Sequence, residues 1–156
     1  MKPVYRGVAV AVLQCLIVLS VAGKYALDRE RLPRVWVKAM PYDPSLFVRG
    51  RYVSLSLQVE TVADATQGAA VRLSVVGDRL VATPEISGGV QIVPRGSQWI
   101  VTQPAAFFIP DNVPDPSLRP AGEELWVEVS VPGRGYPRPI RLGVNKDGVI
   151  TPLELE

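Results

Sequence analysis

The ten residues YVSLSLQVET, at positions 52–61, decide the fold of this chain because they alternate strictly between polar and apolar types. The apolar positions Val53, Leu55, Leu57 and Val59 share one face of an extended chain, and the polar positions share the other. Successive side chains of a β-strand point to opposite faces of a sheet. The pattern therefore predicts a strand that is buried on one side.

Shorter runs of the same kind lie on both sides of this segment. Turn-forming residues separate them: Gly77-Asp78 suits a two-residue hairpin, residues 145–148 join the last two runs, and residues 110–120 form the longest irregular loop. Roughly eight short strands, with no second segment of helical periodicity, predict a mainly β fold, a small antiparallel β-sandwich or barrel-like domain. The apolar positions of the flanking runs are Val35, Val37 and Ala39; Val71, Leu73 and Val75; Leu125, Val127, Val129 and Val131; and Ile140, Leu142 and Val144.

The N-terminal part of the chain has a different pattern. Residues 7–23 read GVAVAVLQCLIVLSVAG and carry no charge, and good helix formers continue as far as Pro33. As a helix, this run spans ~26 Å, near the lower limit for crossing a bilayer. We predict a short tail over residues 1–6, a transmembrane helix with a stalk over 7–32, and the β-rich domain over 33–156. A signal peptide that is cleaved after Val21-Ala22-Gly23 is the alternative.

The basic residues that flank the helix disagree about its orientation. Lys2 and Arg6 favour a cytoplasmic N-terminus, whereas four basic residues between positions 24 and 34 favour the opposite arrangement. An uncharged apolar run after a short basic N-terminal tail resembles a signal anchor, which would send the following domain across the membrane. We therefore expect a single-pass membrane protein with its β-domain outside the cytoplasm.

The composition excludes several classes of chemistry. The 156 residues include no histidine and a single cysteine, Cys15, which lies inside the apolar run. Metal sites built from histidine and cysteine, disulfides within one chain and histidine-assisted catalysis are therefore excluded, and we expect no cofactor. Apart from Lys2 and Arg6, which precede the apolar run, basic and acidic residues are equal in number, fifteen of each. This balance indicates no basic surface for nucleic acid.

Two segments carry a recognisable motif. Residues 41–57 read PYDPSLFVRGRYVSLSL, and residues 107–111 read FFIPD. They resemble the signature of the GDYXXLXY family of small bacterial membrane-anchored proteins, which joins a Pro-x-Asp-Pro turn to the named motif. Arg51 stands where the family has Asp, and Leu57 stands where it has Tyr. The matching residues are Pro41, Asp43 and Pro44 in the turn, Gly50, Tyr52 and Leu55 in the motif, and Phe108 and Asp111 in the later segment.

The resemblance implies a single-span protein of the bacterial cytoplasmic membrane that associates with larger multi-span membrane proteins, and it gives no catalytic residues to carry over to this chain. The motif itself has two interpretations. As a structural corner, Gly50 permits a sharp entry into the strand and Leu55 packs in the core. As a recognition surface, the motif would present the polar group Asp43, Arg49, Arg51 and Tyr52.

Three functions are compatible with the sequence. The preferred one is a non-catalytic accessory or binding module that is tethered to the membrane and acts with a larger membrane protein. The second is a membrane-surface hydrolase that uses the paired carboxylates of Asp43 and Asp111 or a Ser–Lys dyad. The third is a small-ligand or envelope-sensing β-domain, which requires a deep apolar cavity. Trp36, Trp99 and Trp126 either form an aromatic ligand surface or pack against the sheets.

Overall fold

The chain divides into two compact units, Met1–Leu32 and Pro33–Glu156. The computed structural model describes residues 3–42, 52–61, 66–86, 88–110 and 112–155. The first unit holds one helix, α1, at Pro3–Arg31, so part of the predicted N-terminal tail is also helical. The N–H of Leu32 donates to the carbonyl of Asp28 at 3.0 Å. Pro33 has no N–H and ends the helix, as the sequence predicts.

The helix α1 contains a segment with the properties of a membrane span. Gly7–Asp28 comprises 22 residues with a mean hydropathy of 2.0, and none of its most apolar stretch is buried within the structure. An apolar surface of this size is stable when lipid or another protein covers it. The chain therefore has one N-terminal helix that is long and apolar enough to cross a membrane. A signal sequence has the same length and composition.

The second unit is built of strands, and no helix occurs among its described residues. The sequence predicts roughly eight strands, and the structure has more because β6 and β7, with four residues each, are too short to show a clear period of two. The strands are β1 Arg34–Pro41, β2 Tyr52–Thr61, β3 Ala70–Val76, β4 Arg79–Pro84, β5 Val90–Arg95, β6 Gln98–Val101, β7 Ala105–Phe108, β8 Glu123–Ser130, β9 Arg138–Lys146 and β10 Val149–Pro152.

Strand β1 connects the two halves of the sheet. Residues 34–38 pair with β8, which leads through β9 to β10 at one edge, whereas residues 39–41 pair with β2. Strand β2 then pairs with three further strands, β7, β6 and β4. The pairing of β1 with β2 covers residues 39–41 of β1, so the two strands separate from Lys38 towards Arg34.

Where β1 and β2 separate, β2 and four further strands form a closed circuit of pairings. The pairings run from β2 to β4, β3, β5, β6 and back to β2. All pairings are antiparallel, as the sequence predicts, except β2 with β4, where Glu60 lies beside Val81 and Thr61 beside Ala82 in a parallel arrangement. The mainly β fold with one N-terminal apolar helix is confirmed.

The core follows the alternation of the sequence. The odd-numbered side chains of β2 from Val53 to Val59 are buried, as are those of β1 from Val35 to Ala39. They pack with Val127 of β8 and Leu142 of β9 in one hydrophobic cluster. Apolar burial of this kind contributes ~25 cal/mol for each Å² removed from water, so this cluster is the main source of the domain's stability.

The predicted turns are also present. Gly77-Asp78 joins β3 to β4 as a two-residue hairpin, with φ of +60° at Gly77. Asp147 and Gly148 join β9 to β10 with φ of +52° and +85°, a pair of positive angles that suits a type I′ hairpin turn. Both turns therefore need a residue that tolerates positive φ, which explains the glycine in each.

Candidate binding face and groove

The motif segments meet at the end of the β1–β2 pair. Pro41 pairs with Leu55, and the N–H of Tyr42 donates to the carbonyl of Ser54 at 2.9 Å. These contacts extend the pairing of the two strands as far as Tyr42. The predicted site residues Asp43, Pro44, Arg49, Gly50, Arg51 and Asp111 lie outside the described residues. The proposed meeting of the Asp43 and Asp111 carboxylates lies outside them too.

The pairing of β2 with β7 brings the two motif segments together. Tyr52 is the register partner of Phe108, and their rings lie 6.1 Å apart at an angle of 55°. Tilted pairs at this distance are favourable for aromatic rings. Phe108 keeps 69% of its surface exposed and Tyr42 keeps 54%, whereas Leu55 is fully buried. The structure therefore places Leu55 in the core and leaves Tyr42, Tyr52 and Phe108 as an aromatic corner on the surface.

A second group of side chains covers the outer face of β1, β8 and β9. Trp36 lies opposite Glu128, and Glu128 lies opposite Arg141. The Nε of Arg141 donates to the Glu128 carboxylate at 2.6 Å, and its guanidinium carbon lies 5.4 Å from the centre of the Trp36 ring. Glu128 is 7% exposed, so this ion pair satisfies a charge that would otherwise be costly to bury.

Glycine at position 143 makes room for the Trp36 ring. A Cβ atom at Gly143 would lie 2.8 Å from Cζ3 of Trp36, closer than real Cβ contacts allow. Because Gly143 is on β9, the ring of Trp36 reaches across β8 to the next strand. The ring is thus held between Arg141 and the backbone at Gly143.

Glu124 fixes two further groups on this face. It accepts hydrogen bonds from the Nζ of Lys38 at 2.5 Å and from the Nε1 of Trp126 at 3.3 Å. The hydrogen bond from Lys38 holds the pKa of the Glu124 carboxyl below its usual range, against the opposing effect of desolvation. Glu124 is therefore charged at neutral pH, and the indole of Trp126 is held by a charged acceptor.

An open groove lies where β1 and β2 diverge. Its volume is about 190 Å³, and it runs from the outer face of β1 and β8 to the β3–β4 hairpin. Arg79 of that hairpin donates to the Glu60 carboxylate at 3.1 Å on the groove's rim. The lining comprises Trp36, Val37, Lys38, Gln58, Val59, Glu60, Asp78, Arg79, Leu80, Gln98 and Trp126.

One polar atom in this groove has no hydrogen-bond partner among the described residues. The side-chain oxygen Oε1 of Gln58 is buried and accepts nothing. Leaving a buried acceptor unpaired costs ~1–3 kcal/mol, so such atoms are rare and usually have an explanation. The sequence does not single out Gln58, because a glutamine on the polar side of a strand is ordinary.

Two arrangements that catalysis could use can be compared with the described residues: a metal site and a Ser–Lys dyad. They contain no group of three or more acidic or cysteine side chains that could hold a metal ion. Lys38 donates to Glu124, and the Nζ of Lys146 lies 3.6 Å from Glu123, so both amines face carboxylates and not serine hydroxyls.

The groove is also not the deep apolar cavity that the small-ligand function requires. Charged and amide side chains form much of its wall, and it is smaller than the ~300–1,000 Å³ typical of pockets that enclose a small molecule. Trp36 and Trp126 line it, whereas Trp99 packs against the core. Trp99 therefore packs against the sheet, as one interpretation has it, and the ligand-surface interpretation of Trp36 and Trp126 stays a prediction.

Comparisons with known proteins add no relative to this picture: no family model, no curated protein and no solved structure gives a significant match to the chain. The resemblance to the GDYXXLXY family stays a prediction that rests on the residues quoted for it.

Proposed function

We propose that this protein is a non-catalytic accessory module, tethered to the membrane by α1, that binds a larger membrane protein through the aromatic corner of Tyr42, Tyr52 and Phe108. The observation that carries the proposal is the exposure of this corner. Phe108 on β7 is mostly exposed, whereas Leu55 on the neighbouring strand β2 is fully buried. Aromatic residues are enriched at protein interfaces, where a few of them supply most of the binding energy.

The tether supports the same proposal. A module that is held to a membrane meets membrane proteins at a high effective concentration, so a small interface is enough for association. The aromatic corner fits this situation, because the rings of Tyr52 and Phe108 form a pair and Tyr42 is hydrogen-bonded to β2 at Ser54.

Crosslinking in intact membranes tests this function. A photoreactive amino acid replaces Phe108 in one variant and Val149 in the other, which has a nearly equal exposed fraction, 67%, and lies on β10, unpaired with β2 or β7. We expect the Phe108 variant to form an adduct with a protein that mass spectrometry identifies as multi-span, and the Val149 variant to form none with it. Recovery of only lipid adducts and uncrosslinked protein would contradict the proposal. Identical adducts from both positions would contradict it too.

We further propose that the β-domain lies outside the cytoplasm of a bacterial cell and that α1 is a signal anchor. The single cysteine makes a direct test possible. In a Cys15→Ala background, Ser97→Cys places one thiol in the exposed turn between β5 and β6. We expect a membrane-impermeant maleimide to label this thiol in intact cells. Labelling only after the cells are lysed would place the domain in the cytoplasm.

A further inference from the structure

We propose that the groove between β1, β2, β4 and β8 binds a neutral, hydroxyl-rich ligand: a sugar ring of a glycan. This site is separate from the aromatic corner and does not depend on the partner protein proposed above. Four properties of its walls carry the inference: fixed aromatic rings, an unpaired acceptor, balanced charges and a small open volume.

The aromatic rings of the groove are held in place before any ligand arrives. Arg141 stacks on Trp36, and Gly143 leaves the space that its ring occupies. Trp126 is fixed by its hydrogen bond to Glu124. Both tryptophans line the groove. A rigid indole is an apolar surface against which the C–H face of a sugar ring can pack, and its fixed position lowers the entropy cost of ordering it.

The hydrogen-bonding groups of the groove call for a ligand that donates. The lysine and arginine on its walls already donate to Glu124 and Glu60, and the indole of Trp126 is engaged as well. The buried Oε1 of Gln58 accepts nothing from the described residues. A small rotation of the Gln58 side chain towards the groove exposes this oxygen, so that a sugar hydroxyl can donate to it and accept from a side-chain amide at the same time. A proline-rich peptide, the usual ligand of aromatic grooves, offers carbonyl oxygens but few N–H donors.

The charges on the walls favour an uncharged ligand. Lys38 and Arg79 balance Glu60 and Asp78 within the lining. Three of these four side chains, all except Asp78, take part in ion pairs. A charged ligand would gain little from a wall without net charge and would lose its own hydration. The volume of about 190 Å³ suits one ring of a longer glycan, with the remainder of the chain in solvent.

Binding is measured with the full-length chain in phosphatidylcholine nanodiscs, because detergents with sugar headgroups would compete. The probes are maltotetraose and the tetramer of N-acetylglucosamine, with tetraproline and tetralysine as representatives of other ligand classes. Tryptophan fluorescence and saturation-transfer NMR report binding. We expect saturable binding of at least one oligosaccharide, little affected by salt, and none of the two peptides.

Variants separate binding from folding. Gln58→Met removes the unpaired acceptor and keeps the side-chain length, so we expect an unchanged or higher Tm together with an affinity for the oligosaccharide that falls about tenfold. Gln91→Met is the matched control, since Gln91 is an exposed glutamine on β5 outside the groove lining. We expect it to leave the affinity unchanged.

Three results would overturn the proposal. They are the absence of saturable binding of both oligosaccharides, binding of tetraproline or tetralysine in their place, and an unchanged affinity in Gln58→Met. Loss of affinity in Gln91→Met equal to that in Gln58→Met would also count against it, because the effect would then not belong to the groove.

Discussion

At the scale of single residues, Leu55 and Phe108 have opposite environments although both lie in the quoted segments. Both belong to segments that resemble the same family signature, and both lie on paired strands. Leu55 belongs to the central hydrophobic cluster, whereas the Phe108 ring contacts Tyr52 and 69% of the residue is exposed. Leu55 therefore stabilises the fold, and Phe108 is available for binding.

This difference predicts opposite behaviour on truncation. Leu55→Ala leaves a cavity in the core and should lower the free energy of unfolding by about 2–5 kcal/mol. Phe108→Ala removes an exposed ring and one aromatic contact, and should cost about 1 kcal/mol or less. All three tryptophans lie in the β-domain, so urea unfolding of the full-length chain followed by tryptophan fluorescence measures both. A cost for Phe108→Ala that equals that for Leu55→Ala would refute the division of roles.

At the scale of strands, the closed circuit depends on a close approach of β5 to β3. Gly89 precedes β5, and a Cβ atom there would lie 2.7 Å from the carbonyl oxygen and 2.8 Å from the nitrogen of Val71. Val71 is the register partner of Val90, the first residue of β5. Any side chain at position 89 would therefore push apart the two strands that the circuit joins.

Gly89→Ala should lower the free energy of unfolding by roughly 1–3 kcal/mol, because the obstacle is backbone and cannot rotate away. Gly133→Ala is the control: no atom lies within 4 Å of its added Cβ, and its φ is not in the left-handed region. Hydrogen exchange of the full-length chain should show faster exchange at Val90 and Gln91 in the Gly89 variant only. Equal stability of the two variants would show that β3 and β5 do not need this contact.

At the scale of the whole molecule, the chain combines two units with opposite surface properties. In the helical unit, the apolar side chains of Gly7–Asp28 are exposed, whereas in the β-domain the apolar side chains form a buried cluster. The first unit is stable in lipid and the second in water. The helix length and composition allow either a membrane span or a cleaved signal sequence.

Intact mass spectrometry and carbonate washing distinguish these roles of the helix. If α1 spans the membrane, intact mass spectrometry of the protein isolated from membranes should retain residues 1–23, and carbonate washing should not release it. Leu16→Arg should reduce insertion, because a charge near mid-span costs ~2.5–3.5 kcal/mol on the insertion scale. Glu30→Arg, beyond the apolar segment, should not. A mass that lacks the residues up to Gly23 would identify a signal peptide.

The sequence by itself predicted the features that depend on local patterns. The period of two in residues 52–61 determined both the strand and its buried face, since alternate side chains of an extended chain must point apart. The uncharged run from Gly7 and the proline at position 33 similarly predicted the helix and its end. A β-bulge between Glu128 and Val129 shows the limit of such patterns: it shifts the register of β8 against β9 at Ile140, which a single strand's alternation cannot reveal.

Only the tertiary structure decided which segments meet. The pairing of β2 with β7 joins Tyr52 to Phe108 across more than fifty residues, and the divergence of β1 from β2 creates the groove of Trp36, Gln58 and Trp126. Neither contact leaves a signal in composition or periodicity, because strand partners are chosen by the fit of whole faces and not by neighbouring residues. The sequence therefore determined the apolar faces of the strands that build the core, and the long-range strand pairing decided which of the other side chains are buried, such as Glu128, and which surface residues come together.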